Sequence, residues 1–180
     1  MLTPSAEGVC KVCKEPFVKF RTLQTICGKL RCAKQVGKLA RKAERESVKK
    51  RKEAAKKRSD WMREAQDAFN GYIRKRDREL ACISCGRYHR GQYHAGHYLS
   101  LGSRPELRFD EDNVHRQCQP CNTHLHGNLV LYRMALLDRI GDERLARLEG
   151  PHPARKYTIE DLKQIRATYR RKAKEIEDVH

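Results

Sequence analysis

The eight cysteines of the chain fall into two sets of four. Cys10-x2-Cys13 goes with Cys27-x4-Cys32, and Cys82-x2-Cys85 with Cys118-x2-Cys121. A CxxC knuckle lets two thiolates take neighbouring corners of a tetrahedron, and two such pairs close a structural zinc site. No cysteine is left over, so two structural Zn²⁺ ions are expected. Disulfides are the first alternative. They conflict with a start, Met1 to Gly8, that has neither a basic n-region nor an apolar h-region. The second alternative, a redox CxxC, needs a thioredoxin-like βαβ pattern that the sequence lacks. The expected compartment is therefore the reducing cytoplasm, where paired cysteines more often hold metal.

The two sets differ in what lies between their knuckles. In the first the gap is short, about one β-hairpin. In the second, the stretch from Cys85 to Cys118 exceeds an ordinary zinc-ribbon gap and must be a subdomain whose ends the zinc ties together. It holds His89, His94, His97, Asn113 and His115, and Asn122 follows the last cysteine directly. These contents suggest an active site.

The order Cys-x2-Cys, a His at a strand end, an Asn, then Cys-x2-Cys-Asn resembles the HNH or ββα-metal nucleases. It is especially similar to the zinc-containing phage endonuclease VII resolvases. More closely, the chain resembles the NinG family, that of the Rap recombination nucleases of lambdoid phages. The residues that carry this are Cys82-Ile83-Ser84-Cys85, Ala95-Gly96-His97-Tyr98, Leu107-Arg108-Phe109, Asn113-Val114-His115-x2-Cys118-x2-Cys121-Asn122 and Gly127-Asn128-Leu129. Ile73-Arg74-x2-Asp77-Arg78 before them and Arg139-Ile140-Gly141 after them also fit. The resemblance covers most of the chain and is specific between Cys82 and Asn128. It implies structure-selective cleavage of branched DNA such as D-loops and Holliday junctions, by a phage protein acting in the host cytoplasm. Its oligomeric state is open, a homodimer on the junction being one form.

Phosphodiester hydrolysis needs an activated water, a cation for the developing charge and help for the leaving oxygen. One divalent metal, here Mg²⁺ or Mn²⁺, can supply the last two. A neutral His can supply the first. The resemblance makes His97 the general base and Asn113 the residue that orients it through its side-chain carbonyl. It makes Asn122, at the start of a helix, a metal ligand. One position departs from the pattern: an acidic ligand usually precedes the base, and here that residue is Gly96. His94 is the nearest candidate ligand. His126, one turn after Asn122 if the helix is regular, is a further one. Asp110, Glu111 and Asp112 are fallback carboxylates, although such a run more often caps a turn. His89, His115 and His124 read as structural or DNA-contacting, and His152 and His180 as incidental.

The expected fold class is α+β: a small zinc-stapled ββα-metal (HNH-like) domain flanked by helices, with an N-terminal four-cysteine zinc module and a basic helical arm. The boundaries are residues 1–33 for the zinc module, 34–58 for the arm or linker, 59–150 for the nuclease domain and 151–180 for an amphipathic helix. In the arm, Val36, Leu39, Ala40 and Ala43 make an apolar stripe that fades, while Glu46/Lys50 and Glu53/Lys57 give i,i+4 support. Ser59 or Asp60 can cap the next helix, whose Trp61, Ala65, Ala68 and Tyr72 share a face. Leu125, Leu129, Tyr132 and Leu136 mark a helix after Cys121, with Gly141 a plausible stop. Past Gly150-Pro151-His152-Pro153, Thr158 with Asp161 opens a last helix with Leu162, Ile165, Tyr169 and Ile176 facing the body.

The net charge of +17 points to a polyanionic partner. Branched DNA is the expected partner and a membrane is not, since no apolar run is long enough to span one. The runner-up class is a non-catalytic zinc-finger protein that binds DNA or RNA. It would have the same basic surface and no need of His97 or Asn122.

Overall fold

The computed structural model describes residues 6–178. Residues 1–5 and 179–180, His180 among them, lie outside that range. The chain divides into two compact units, Met1–Lys56 and Lys57–His180, each a mixture of helix with one two-stranded sheet.

In the first unit, strands β1 (Ala6–Val9) and β2 (Pro16–Lys19) pair antiparallel. Their hairpin straddles the first knuckle instead of filling the gap between the two knuckles, because Cys10 and Cys13 form the turn: Lys14 N–H bonds Cys10 C=O at 2.9 Å. Helix α1 (Leu30–Ala54) follows, and Cys32 is its buried residue. The stripe Val36, Leu39, Ala40 and Ala43 stays exposed, so α1 is a solvated helix. Glu46 and Lys50 form no ion pair. Lys57 lies beyond the end of α1, so Glu53 and Lys57 do not share a helix.

The second unit begins with helix α2 (Arg58–Arg76). Lys57 takes the cap position: the Asp60 carboxylate accepts its backbone N–H at 3.0 Å, and its carbonyl accepts Asp60 N–H at 3.0 Å, so the helix starts before Ser59. Strands β3 (Tyr93–His97) and β4 (Val114–Cys118) pair antiparallel, with His94 opposite Gln117 and Gly96 opposite His115. Helix α3 (Leu129–Glu149) bends at Gly141, whose positive φ breaks the helix for one residue before it resumes to Glu149. Helix α4 (Ile159–Asp178) opens on Thr158, whose hydroxyl accepts from Asp161 N–H at 3.1 Å. It packs along α2. Phe69 meets Tyr169 edge-on at 4.7 Å, and Ile73, Val114 and Ile165 fill the space around them.

The hairpin is anchored to α2 by ions as well as by packing. Asp77 is buried, pairs with Arg76 at 2.7 Å and accepts Arg116 N–H at 3.0 Å. Arg76 also donates to the Val114 and Glu111 carbonyls. The fallback carboxylates are consumed the same way: Asp110 by Arg147, Asp112 by Arg144 and Arg147, Glu111 by Lys172. They hold the end of the loop before β4 to α3 and α4.

The regular helix expected from Cys121 does not form. Pro120–His124 is a single wide turn closed by Leu125 N–H to Pro120 C=O at 3.0 Å. His126, Gly127 and Asn128 then all take positive φ before α3 starts. Leu125 is consequently exposed, whereas Tyr132 and Leu136 are fully buried.

Candidate functional site

Each four-cysteine group gathers its sulfurs within 4.8 Å of one another. In the first, Cys13 and Cys27 lie 3.8 Å apart and Cys27 and Cys32 3.6 Å. In the second, Cys85 and Cys118 lie 3.9 Å apart. A tetrahedral ion at the usual zinc–sulfur distance separates its ligands by about 3.8 Å. Both groups could therefore hold a metal ion, and their all-sulfur donor set is that of zinc. Backbone amides already aim at the sulfurs: Cys27 N–H at Cys10 Sγ, and Cys118 N–H at Cys82 Sγ. Burial pushes the Cys82 thiol up, but amide bonds from Cys85, Cys118 and Ser84 outweigh it and bring the group down to about 7.

The second group fixes the wide turn that follows it, and the turn carries Asn122 to the hairpin. Asn122 Nδ2 lies 3.2 Å from His94 Nδ1. As placed, the amide can only donate, so His94 accepts on Nδ1 and its proton sits on Nε2. That Nε2 is buried and unpartnered, and so is Oε1 of Gln117, its cross-strand neighbour. His94 and Asn122 line a polar cavity of about 380 Å³ together with Asn70, Arg74, Gln92, Tyr93 and Ala95. No carboxylate is among its lining residues. Asn70 and Arg74 stand one turn apart on α2, beside its buried face. Arg74 is exposed and has no carboxylate partner among the described residues. The sequence reading did not place it in the site; the signal was a polar i,i+4 pair flanking an apolar helix face.

Gly96 has a physical reason. A Cβ there would collide with Gln117, whose side chain crosses beneath it to reach Ser84 Oγ at 2.6 Å and the Gly127 carbonyl. No ligand side chain fits at 96. Residues 94 and 96 project from the same face of the strand, so His94 offers a donor on the face where the common pattern has its acid.

His97 ends β3 and is not among the cavity's lining residues. Its Nε2 lies 3.2 Å from the Arg108 carbonyl. A carbonyl only accepts, so the proton is on Nε2 and Nδ1 carries the lone pair. Burial holds the ring's pKa below the usual histidine value, against opposing hydrogen bonds to the Arg108 and Ala95 backbone.

Asn113 is fully buried but does not bond to His97. Its carbonyl accepts Leu99 N–H at 2.8 Å, and its amide donates to the Leu99 and Leu107 carbonyls. It closes the loop from Leu99 to Leu107 and so fixes where the next carbonyl, that of Arg108, meets His97. Its action on His97 runs through backbone and not through its own oxygen. His126 is exposed at positive φ, beyond the wide turn, and is not one regular helical turn from Asn122.

The remaining histidines among the described residues have structural partners or lie exposed. His89 Nε2 meets Cys85 Sγ at 3.2 Å. His115 is buried beside Tyr132 Oη at 3.3 Å, and His152 meets the Arg147 carbonyl at 2.7 Å. His124 is exposed.

A family model described as "Bacteriophage Lambda NinG protein" matches residues 3–178. The chain belongs to the NinG family of lambdoid phage proteins. Among its relatives, "Protein ninG" of Escherichia phage 933W is 40% identical over 193 residues, covering 95% of this chain and 94% of that protein. "Protein ninG" of Escherichia phage lambda is 47% identical over 131 residues, covering 73% of this chain and 64% of that protein. The Salmonella phage P22 protein of the same name is 47% identical over 133 residues. No solved structure matches the chain. Both four-cysteine groups and the His94–Asn122 cavity lie within the span of the NinG match.

Proposed function

We propose that this NinG protein is a metal-dependent endonuclease that cuts branched DNA, such as D-loops and Holliday junctions, in the host cytoplasm. The observation that carries the reading is the cavity in which the turn after the second four-cysteine group sets Asn122 against His94, with the exposed guanidinium of Arg74 in the same lining. Two ligands at neighbouring corners of an octahedral ion stand about 3 Å apart. His94 Nδ1 and Asn122 meet that spacing once the amide turns its oxygen inward. A bound Mg²⁺ or Mn²⁺ would stabilise charge on the phosphoryl and leaving oxygens. Arg74 holds the phosphate. His97 takes the water's proton on Nδ1, with Nε2–H tied to Arg108 and burial keeping the ring neutral. Ligand and base alternate in face here as they do when they are consecutive residues. Residues 59–150 carry this chemistry, and the basic arm 34–58 lies along phosphates.

A second reading, a non-catalytic zinc-finger protein that binds DNA or RNA, is favoured by the lack of a carboxylate in the cavity lining. Incubating the purified chain with fork, D-loop, four-way and linear DNAs, with and without Mg²⁺ or Mn²⁺, separates the two. His94→Ala, Asn122→Ala and His97→Ala should each lower cleavage at least ~10²-fold while zinc content and junction binding persist. A wild-type protein that cuts nothing under any of these conditions establishes the binding reading. Normal cutting by His97→Ala with loss in His94→Ala moves the base to His94.

A further inference from the structure

Of the seven tyrosines, six are buried or half-buried, and Tyr88 alone stands out at 72% exposure. Exposure of this kind usually goes with a loose loop, and this loop is not loose. Tyr88 Oη donates to the Glu79 carbonyl at 3.0 Å. Next to it, Cys82 N–H bonds the Arg87 carbonyl at 3.0 Å, and His89 N–H bonds Tyr93 Oη at 2.7 Å. His89 Nε2 meets the Cys85 sulfur. The ring is thus held in place with its faces in water.

Arg87 and Arg90 flank it, both exposed and both without an ion pair among the described residues. Elsewhere in the unit Arg76, Arg104, Arg133, Arg144 and Arg147 each bind a carboxylate. Two arginines within two residues of a fixed, exposed aromatic ring suit a nucleobase with its adjoining phosphates. Bases stack on such rings with little regard to sequence. The same loop continues into Gln92–Ala95, which line the cavity.

A continuous duplex offers no free base face, whereas a branch point does. We propose that Tyr88, between Arg87 and Arg90, is a stacking platform for a base unstacked at the branch point of DNA. The inference rests on the reading of branched DNA as substrate and adds the element that recognises the branch.

The test uses the full chain without added Mg²⁺ or Mn²⁺, so it requires no cleavage. A fork with 2-aminopurine at its branch point is compared with a continuous duplex of equal length. Tyr88→Ala should weaken fork binding by about tenfold, within the range of lost base stacking, and leave duplex binding nearly unchanged. Tyr88→Phe keeps the ring, loses the bond to Glu79 and should retain most of the preference. Wild-type protein should quench the 2-aminopurine, and Tyr88→Ala should not. Equal losses on fork and duplex, or none on either, overturn the proposal. So does an unquenched probe with wild-type protein, a result independent of any variant's folding. Intact quenching by a protein that never cuts would sink the nuclease reading and support the platform.

Discussion

His97 shows how much chemistry a single hydrogen bond can set. The Arg108 carbonyl fixes its tautomer, and burial keeps it neutral; both properties suit a base. The sign of the pH dependence follows. A base works when deprotonated, so cleavage is lost as pH falls through its pKa. Burial lowers that pKa, so the acid limb of the rate profile should lie below the ~6.5 of a free histidine. A limb at or above that value would indicate a different base. Some of this was legible in the sequence. The resemblance singled out His97, Asn113 and Asn122, and Gly96 left His94 as the nearest candidate ligand; the structure sets His94 against Asn122, while His97 and Asn113 do not line that cavity. The bonding of Asn113 was not legible: whether an amide reaches a ring or a backbone depends on a loop path that no local pattern encodes. Arg74 escaped for a similar reason, since its place beside His94 depends on how α2 packs on the hairpin.

Among the elements, the β3–β4 hairpin carries the site, and Gln117 is its least replaceable strut. Buried under Gly96, it ties the Cys82–Cys85 knuckle at Ser84 to the turn at Gly127. Gly96→Ala forces it aside. We expect a loss of about 1–3 kcal/mol in urea or thermal unfolding, the usual cost of overpacking a close-fitted interior. Gly96→Asp, which restores the common acid-before-base pattern, should cost more by burying a charge and should not improve cleavage. If Gly96→Ala is as stable as wild type, Gln117 is not the obstacle. Helix periodicity foretold α2, α4 and the buried face of α3 well, because buried residues recur at helical spacing within each: Trp61, Ala65 and Tyr72 in α2, Tyr132 and Leu136 in α3, Leu162 and Tyr169 in α4. It failed between Cys121 and Leu129. There the spacing of Leu125 mimics a helix, while the left-handed run His126, Gly127, Asn128 turns the chain. Of the three only Gly is free to do so at no steric cost.

Across the whole molecule, chemistry and charge are distributed differently. Unit Lys57–His180 contains the cavity, one four-cysteine group and nearly all of the hydrophobic core. Unit Met1–Lys56 contains the other group and a helix that buries little beyond Cys32. Apart from Arg31, which pairs with Glu15 at 2.7 Å, the many lysines and arginines of so exposed a helix do little for the fold, and on the proposed reading they meet phosphates. A fragment of residues 57–180 should therefore fold by itself and carry about one zinc, against about two for the full chain by elemental analysis. It should also bind DNA with a shallower dependence of log affinity on log salt, because each lost phosphate contact removes roughly 0.9 from the slope. Its single-turnover cleavage of saturating junction should change much less than its affinity. An unchanged salt slope would show that α1 is a spacer and not a grip. Loss of cleavage at saturation would place part of the catalytic machinery in the first unit, where the cavity residues do not lie.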